Sequence, residues 1–270
     1  TRVGVDVVPL YCEPDGDFPN HHPDPVVEKH MGDLKARVVA EGADLGLGLD
    51  GDGDRIGVFN EKGEMVYGDR VLAMLSREVL REHPGATIIG EVKCSHLLYK
   101  DIEAHGGNPI MGVTGHSVMK ARIKETGAKL AGEMSGHMFF ADRFPGVDDG
   151  IYAALRVIEI LARDPDKPLS SALDDWPVTY NTPEIRMDCE ERIKFPIVEK
   201  AVAYFRERYD VVDVDGVRVI FPDGWGLVRA SNTQPALVMR FEAESEARLS
   251  EIRQAIEGPL FQWIEEMGRA

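Results

Sequence analysis

Three aspartates alternate with glycines in the stretch Asp50-Gly-Asp52-Gly-Asp54-Arg55. An apolar run over residues 43–49 leads into them and predicts a buried strand. The glycines allow a turn tight enough for the three carboxylates to meet at one point. Carboxylates that close repel one another, so the pattern predicts a bound cation, and oxygen-only ligands favour a hard ion such as Mg²⁺.

Two other interpretations of this stretch compete with the metal loop. In an EF-hand, the three aspartates and Glu61 would stand at ligand positions. However, Arg55 lies where the EF-hand needs Gly, and a strand rather than a helix leads in. A polar turn between two strands is the usual interpretation of an Asp/Gly cluster, but the strict alternation argues against it. We therefore prefer the metal loop.

A second polar stretch, Gly132-Glu133-Met134-Ser135-Gly136-His137, follows a short predicted strand. Glu133 and Ser135 lie two residues apart, so in an extended chain their carboxylate and hydroxyl point the same way. Such a pair suits the vicinal hydroxyls of a sugar. His137 has an ordinary pKa near neutrality and is a candidate acid or base. Taken alone, this stretch would more often be a polar turn.

A third stretch lies between two predicted strands and is dense in hydrogen-bond donors. One guanidinium, two hydroxyls and one amide occur within five residues, an inventory that matches a phosphate group. These candidate residues are Arg229, Ser231, Asn232 and Thr233. Without the other two stretches, a polar hairpin with an exposed arginine would be the preferred interpretation.

Three further features carry weaker signals. Lys93 follows a strand end, where α/β sheets place ligand contacts, and His116 stands at a predicted helix start. An isolated Lys or His is more often structural. The loop at residues 13–25 contains His21 and His22. Its prolines and irregular ligand spacing favour a rigid connector over a metal site.

The predicted elements fall into three parts within 270 residues, a length that suggests about two compact domains. Residues 1–64 read as a partial α/β domain whose first strand is residues 3–8. Alternating strands and helices over residues 65–175 predict a complete α/β domain with a mixed sheet. One predicted helix runs to His83, with Asp69 as its N-cap and with Val71, Leu72, Leu75 and Val79 on one face. Another spans residues 150–163, with Ile151, Leu155 and Ile158 in register. Consecutive strands with short links over residues 176–270 predict an α+β domain with an antiparallel sheet.

Composition narrows the classes of partner. The net charge of −16 disfavours binding to nucleic acid or anionic membranes, although a local pocket can still be basic. No apolar run approaches the roughly 18 residues that a membrane span requires. The three cysteines, Cys12, Cys94 and Cys189, are scattered and suit free thiols in a reducing cytoplasm. We therefore expect a cytoplasmic protein, either monomeric or dimeric.

Together these stretches resemble the α-D-phosphohexomutase superfamily, and most closely its bacterial phosphomannomutase/phosphoglucomutase branch. Five segments carry the resemblance in the family's order: residues 8–25, Asp50-Gly-Asp-Gly-Asp-Arg55, Thr114-Gly-His-Ser117, Gly132-Glu-Met-Ser-Gly-His137 and Arg229-Ala-Ser-Asn-Thr233. Five ordered motifs are far more specific than any one of them. The resemblance extends along the whole chain.

The resemblance implies a fold of four domains around a central cleft, with this chain containing the end of the second and all of the third and fourth. It implies the following roles: Mg²⁺ binding by Asp50, Asp52 and Asp54, proximity to the reacting phosphate for Arg55, sugar binding by Glu133 and Ser135, cleft lining by Lys93, His116 and His137, and binding of the phosphate that is not transferred by Arg229, Ser231, Asn232 and Thr233. His137 is the expected proton shuttle.

The nucleophile of the family is a phosphoserine in a Thr-Ala-Ser-His-Asn-Pro-like loop of the first domain, and no such loop occurs in these 270 residues. The resemblance implies a parent enzyme that moves phosphate between O1 and O6 of mannose or glucose, through a 1,6-bisphosphate that also serves as activator. Alone, the chain is predicted to be inactive. Its expected partners are hexose phosphates and the missing N-terminal domain.

Two alternatives stay open. One is a non-catalytic module that binds sugar phosphates without turning them over. The other is a phosphoglucosamine mutase, which ranks lower because the middle of its sugar loop tends to differ from Met134-Ser135.

Overall fold

The computed structural model of the protein describes residues 4–268. Its α-helices are α1 (Gly32–Glu41), α2 (Gly68–Glu82), α3 (His96–Ala104), α4 (His116–Thr126), α5 (Gly150–Arg163), α6 (Glu191–Arg206) and α7 (Glu246–Gly268). Its strands are β1 (Leu45–Leu49), β2 (Ile56–Asn60), β3 (Met65–Val66), β4 (Thr87–Glu91), β5 (Asn108–Gly112), β6 (Leu130–Gly132), β7 (Met138–Phe140), β8 (Tyr180–Asn181), β9 (Ile185–Asp188), β10 (Asp210–Val212), β11 (Val217–Phe221), β12 (Gly224–Ala230) and β13 (Ala236–Ala243). Short 3₁₀ turns occupy Glu28–His30 and Leu169–Ser171.

The chain divides into two compact units, each built from two separate segments. Unit 1 comprises residues 4–86 and 129–174, and unit 2 comprises residues 87–128 and 175–268. Helices alternate with strands in both, and the described strands include both parallel and antiparallel pairs. The predicted α/β class is confirmed.

In unit 1, β1, β2 and β3 form an antiparallel sheet in which Leu45 faces Asn60 and Leu49 faces Ile56. The acidic stretch is therefore the loop of the β1–β2 hairpin. The strand predicted for residues 3–8 is wrong for residues 4–8, which are irregular, and Val3 lies outside the described residues. An extended segment becomes a strand only when a neighbouring strand takes its backbone hydrogen bonds.

The helix α2 follows its predicted apolar pattern. Val71, Leu72, Leu75 and Val79 are all buried. The predicted N-cap is wrong, because the helix begins at Gly68 and Asp69 lies buried in its first turn. Aspartate there still favours the helix, since its charge complements the positive end of the helix dipole.

The helix α5 has the predicted bounds but packs through a different face. Ile151, Leu155 and Ile158 have the predicted helical spacing, yet Ile151 and Leu155 are 59% and 43% exposed and Ile158 is only half-buried. Ala153 and Val157 are fully buried instead. Arg156 is also buried. The face of α5 that packs inward is therefore the one that carries Ala153, Arg156 and Val157, not its apolar stripe.

Arg156 is paired inside unit 1 with a carboxylate. Its Nη1 donates to Asp142 Oδ2 at 2.9 Å, and its guanidinium lies 4.4 Å from the ring centre of Phe140. The ion pair and the aromatic contact together compensate the cost of burying the charge.

Unit 2 begins with a strand–helix–strand arrangement in which β4 and β5 pair in parallel and α3 connects them. Ser95 caps α3 by accepting a hydrogen bond from the backbone nitrogen of Leu97 at 3.1 Å. Parallel pairing requires such a crossover, because a short turn cannot return the chain to the same sheet edge.

The rest of unit 2 is an antiparallel sheet in the order β10-β11-β12-β13-β8, with β9 also paired to β13. Helices α6 and α7 cover it with a core that includes Ile197, Phe205, Ile252, Ile256 and Leu260. The predicted C-terminal α+β arrangement is confirmed. Every helix within residues 4–268 is too short or too polar to span a bilayer.

Candidate active site

The three aspartates of the β1–β2 hairpin converge as the sequence predicts. One carboxylate oxygen from each of Asp50, Asp52 and Asp54 lies within 4.8 Å of the others. Gly53 has a φ of +75°, a conformation that side chains with a Cβ rarely adopt, and this allows the tight turn. The donor set consists of oxygen atoms alone, so these residues fit a hard cation such as Mg²⁺.

Arg55 closes this loop. Its Nε donates to Asp50 Oδ2 at 2.7 Å and its backbone nitrogen donates to Asp50 Oδ1 at 3.1 Å. Burial raises the pKa of Asp50, but the hydrogen bonds from Arg55 outweigh it and hold that pKa below its ordinary value. In Asp54, burial and the neighbouring Asp50 raise the pKa, although the charge of His137 opposes them.

The proline-rich segment at residues 13–25 also contributes to this loop. Asp24 accepts a hydrogen bond from Arg55 Nη1 at 3.2 Å, so Arg55 is held between two carboxylates. Within residues 4–268, neither His21 nor His22 belongs to a group that could hold a metal ion. Asp24 is the residue through which this segment contacts the acidic loop.

The second polar stretch brings a carboxylate, a hydroxyl and an imidazole together. Ser135 Oγ lies 3.0 Å from Glu133 Oε2 and 2.9 Å from Nδ1 of His137, which is 3.1 Å from the same Glu133 oxygen. The predicted extended backbone is wrong, because residues 133–136 form a turn in which Gly136 N donates to Glu133 O at 3.1 Å. The turn achieves the same convergence of side chains.

Within unit 1, the acidic loop and the Glu133–His137 turn are joined directly. Arg55 and His137 form an isolated antiparallel bridge, and Ile56 N donates to Gly136 O at 3.0 Å. Beyond the backbone, His137 Nε2 lies 3.3 Å from Asp54 Oδ1. Burial lowers the pKa of His137, but the hydrogen bond and charge of Glu133 and the charge of Asp54 outweigh it, so that pKa is raised.

In unit 2, Lys93 is nearly buried, with 9% of its surface exposed. Its Nζ donates to Glu184 Oε2 at 3.1 Å and lies 3.5 Å from Glu91 Oε1. Burial lowers the pKa of Lys93, but the charges of Glu91 and Glu184 outweigh it and raise that pKa. The ammonium group is therefore charged at neutral pH.

Two buried arginines hold the backbone around Lys93. Arg218 Nη1 donates to the carbonyl oxygens of Val92 and Cys94, both at 2.7 Å, and Arg240 donates to the carbonyl oxygen of Lys93 itself. The guanidinium of Arg218 lies 3.6 Å from the ring centre of Trp225, and burial lowers its pKa to about 10. The C-terminal sheet thus fixes the position of Lys93.

The predicted phosphate-binding stretch begins near the end of β12 and continues into the turn that follows it. Arg229 is 6% exposed, and its Nε donates to Asp215 Oδ2 at 2.9 Å. Ser231 is buried, and its Oγ accepts from the backbone nitrogen of Gln234 at 3.2 Å. Asn232 and Thr233 stand exposed at the tip of the turn. Thus Arg229 and Ser231 are fixed, whereas the other two candidates face solvent.

A buried lysine on α6 holds this turn in place through hydrogen bonds to its backbone. Lys194 is 1% exposed, and its Nζ donates to the carbonyl oxygens of Ser231 and Gln234 at 2.7 and 3.1 Å. These two carbonyls flank the exposed tip. Lys194 therefore fixes both ends of the turn.

His116, the remaining candidate, is the first residue of α4 and is exposed. The segment before it is anchored, because the backbone nitrogen of Thr114 donates to Asp215 Oδ2 at 3.2 Å. The carboxylate of Asp215 thus contacts both this segment and Arg229.

Unit 1 brings together all its predicted site residues, which are Asp50, Asp52, Asp54, Arg55, Glu133, Ser135 and His137. Unit 2 contains the others, which are Lys93, His116, Arg229, Ser231, Asn232 and Thr233. Sequence reasoning missed the residues that orient them, namely Asp24, Glu91, Glu184, Lys194 and Asp215. Asp-Gly at 215–216 is a typical hairpin turn, but a turn signal alone does not indicate which side chain the aspartate contacts.

Comparison with known proteins gives three domain matches from one family. Residues 1–63 match phosphoglucomutase/phosphomannomutase alpha/beta/alpha domain II, residues 67–180 match alpha/beta/alpha domain III, and residues 184–258 match the C-terminal domain. The phosphomannomutase/phosphoglucomutase of Pseudomonas aeruginosa is 50% identical over 253 residues, which cover 93% of this chain and 54% of that protein.

Solved structures agree. A phosphoglucomutase/phosphomannomutase family protein from Burkholderia thailandensis is 44% identical with a TM-score of 0.84, covering 93% of this chain and 53% of that one. An Aspergillus fumigatus N-acetylphosphoglucosamine mutase, solved with GlcNAc-6P and magnesium, shares the fold at 17% identity, with a TM-score of 0.59 and coverage of 78% and 47%.

The chain spans about half the length of the relatives it matches. Successive domain matches in one order, together with a relative of 50% identity, agree with the motifs and with the fold described above. The chain belongs to the phosphoglucomutase/phosphomannomutase family of the α-D-phosphohexomutase superfamily.

Proposed function

We propose that this chain supplies the metal loop, the sugar loop and the distal phosphate loop of an enzyme that interconverts the 1- and 6-phosphates of mannose or glucose. The bridge between Arg55 and His137 carries the proposal, because it sets the three aspartates beside the Glu133–Ser135 pair within one unit. A cation site beside a carboxylate–hydroxyl pair fits the charge stabilisation and substrate positioning on which phosphoryl transfer to a sugar hydroxyl relies.

The proposed domains are residues 1–64, 65–175 and 176–270, and the three matched ranges support these limits. The proposed roles are Mg²⁺ binding for Asp50, Asp52 and Asp54, contact with the reacting phosphate for Arg55, sugar binding for Glu133 and Ser135, proton transfer for His137, cleft lining for Lys93 and His116, and binding of the second phosphate for Arg229, Ser231, Asn232 and Thr233.

In the reaction that we propose for the whole enzyme, a phosphoserine passes its phosphoryl group to the free hydroxyl of a hexose phosphate. The phosphorus–serine oxygen bond breaks, a phosphorus–sugar oxygen bond forms, and His137 takes the hydroxyl proton. The resulting 1,6-bisphosphate turns over and returns its other phosphoryl group to the serine. When bound, Mg²⁺ offsets negative charge on the transferred group.

The residues of the sugar loop account for a relaxed sugar preference. Glu133 and Ser135 offer one acceptor and one hydroxyl, which suit the O3 and O4 hydroxyls that mannose and glucose share. The two sugars differ only at C2, so this pair need not distinguish them.

Two measurements on the 270-residue chain test the proposal. Isothermal titration calorimetry with glucose 1,6-bisphosphate in the presence of Mg²⁺ should detect binding, and absence of binding for both glucose and mannose bisphosphates would refute it. A coupled mutase assay with the same additions should give no turnover above a buffer blank. Clear turnover would contradict the predicted inactivity of the chain alone.

A second candidate function is a sugar-phosphate-binding module without catalysis. Such a module would bind through the same three loops without the Thr-Ala-Ser-His-Asn-Pro-like serine loop of the mutases. The coding sequence upstream discriminates, because such a loop there indicates a mutase. Competition by glucosamine 6-phosphate tests the third possibility, a phosphoglucosamine mutase.

A further inference from the structure

Asp215 lies in the turn between β10 and β11, with 13% of its side chain exposed. A single carboxylate oxygen, Oδ2, accepts two hydrogen bonds. One comes from Arg229 Nε at 2.9 Å and the other from the backbone nitrogen of Thr114 at 3.2 Å. This oxygen links the proposed phosphate-binding arginine to the segment that leads into His116.

The same segment is fixed from a second direction. Thr114 Oγ1 donates to Glu91 Oε2 at 2.7 Å, and the other oxygen of Glu91 lies 3.5 Å from Lys93 Nζ. A continuous series of polar contacts therefore runs from Arg229 through Asp215, Thr114 and Glu91 to Lys93, all within unit 2. Two cations proposed to contact substrate stand at its ends.

We propose that Asp215 is a positioning residue that orients the guanidinium of Arg229 toward a sugar-bound phosphate. The inference rests on the proposed function of the chain. Because Asp215 engages only Nε, the two terminal nitrogens of Arg229 remain for a forked pair of hydrogen bonds to two phosphate oxygens. Arg229 needs such an anchor, since a long side chain loses conformational entropy whenever it is fixed on binding.

Charge alone predicts the opposite effect of removing Asp215. A carboxylate beside an anion site repels phosphate, so its removal should strengthen binding if only Coulomb forces matter. If Asp215 acts by orientation, its removal weakens binding. The guanidinium of Arg229 must then be immobilised when phosphate binds, and the entropy lost lowers the affinity. The sign of the change separates the two explanations.

The experiment compares the affinity of the 270-residue chain for glucose 1,6-bisphosphate by calorimetry. Asp215→Ala should weaken binding about five- to tenfold, the cost of ordering one long side chain. Asp215→Asn should stay within about threefold of wild type, because one amide oxygen can accept both bonds that Oδ2 accepts. Asp213→Ala is the control, since it removes a charge from an exposed, surface-paired aspartate in the same turn.

Affinity in Asp215→Ala equal to or tighter than wild type overturns the inference, and so does an Asp215→Asn variant as weak as Asp215→Ala. Thermal unfolding without ligand checks that each variant is folded. If Asp215→Ala is not folded, Asp215→Ser replaces it, because its hydroxyl is too short to reach both donors.

The proposed function fails separately from this inference. If wild-type chain does not bind the bisphosphate, the proposed function falls and the inference with it. If Arg229→Met abolishes binding while Asp215→Ala retains it, only the positioning role of Asp215 falls.

Discussion

Arg55 and His137 face each other across an isolated antiparallel bridge that joins the acidic hairpin loop to the Glu133–His137 turn. The two segments lie far apart in sequence. The loop contributes three aspartates and an arginine, whereas the turn contributes a glutamate, a serine and a histidine. Their pairing places the proposed cation loop beside the proposed sugar loop. The bridge also fixes the backbone of His137 while its two ring nitrogens contact Glu133 and Asp54.

Gly136→Ala should break this junction. Gly136 has a φ of +93°, and a Cβ there would lie 2.5 Å from the carbonyl oxygen of Ile56. The unfavourable φ and the overlap together should lower the free energy of unfolding by about 3 kcal/mol. Urea unfolding measures it. Gly42→Ala is the control, because Gly42 has a φ of +60° with open space around it and should lose only about 1 kcal/mol.

Asp52→Asn should weaken Mg²⁺ binding by about tenfold or more, because divalent-ion affinity depends on the number of charged ligands. Asp52 is exposed, so the variant should unfold at the wild-type temperature in metal-free buffer. Calorimetric titration with Mg²⁺ measures the affinity, and Asp17→Asn, an exposed aspartate outside the loop, makes the same charge change. Equal affinities in wild type and Asp52→Asn would rule out the aspartate site.

Glu133→Gln should weaken binding of hexose phosphate. Glu133 is 3% exposed and lies within hydrogen-bond distance of Ser135 and His137, so its charge orders the turn, and in the proposed function it also accepts from a sugar hydroxyl. Loss of one charged hydrogen bond predicts a decrease of about tenfold to a hundredfold. Calorimetry with glucose 1-phosphate measures it against the surface control Glu41→Gln. An unchanged affinity would remove Glu133 from the sugar site.

Lys194→Met should loosen the loop at residues 231–234, because the carbonyls of Ser231 and Gln234 lose a shared cationic donor. Leaving these two acceptors without their partner should cost about 2 kcal/mol in the free energy of unfolding. Affinity for the bisphosphate should fall as well. Lys200→Met on the same helix, where the lysine is exposed, should change neither value. Equal results for the two variants would contradict the supporting role of Lys194.

Glu242 should make the stability of unit 2 dependent on pH. Its Oε1 accepts from Ser95 Oγ at 2.9 Å and Trp225 Nε1 at 3.0 Å and lies 2.7 Å from His96 Nδ1. Burial raises the pKa of Glu242, but the hydrogen bonds from His96, Trp225 and Ser95 outweigh it and lower that pKa. A lowered folded-state pKa contributes stability above the unfolded pKa, about 4.3, and this is lost as pH falls through the folded pKa.

Wild type should therefore exceed Glu242→Gln by about 2 kcal/mol in the free energy of unfolding at pH 7. The difference should shrink as pH falls below about 4.3 toward the lower folded-state pKa, because the unfolded carboxylate binds a proton while the folded one is still ionised. Urea unfolding at a series of pH values measures it, with the exposed Glu244→Gln as control. A difference that stays constant down to pH 3 would contradict the linkage.

The sequence was most informative where chemistry and turn geometry coincide. The Asp50–Asp54 repeat predicted the loop, because its glycines allow a tight turn, and the apolar run before it predicted the strand that leads in. It was less informative about packing. Ile151 and Leu155 have helical spacing yet are exposed, since the pairing of Arg156 with Asp142 turns another face of the helix inward.

Residues that orient the site were not predictable for a different reason. Lys194 looks like any helical lysine, and nothing local indicates that its ammonium reaches carbonyls in a distant loop. Asp215 is similar, because β10 is only three residues long and too short to give a periodic signal. Long-range contacts of single polar side chains leave no pattern in the sequence.

The hydrogen bonds from Arg218 and Arg240 to the peptide around Lys93 have a consequence for shortened forms of the protein. A cleavage product that ends before Val217 would keep Lys93 but lose both arginines that tether its main chain. Such a product would still contain Lys93, but the backbone around it would no longer be held in position by these two arginines. Fragments intended to isolate the middle portion of the chain must therefore include β11 and β13 to preserve that lysine in a native setting.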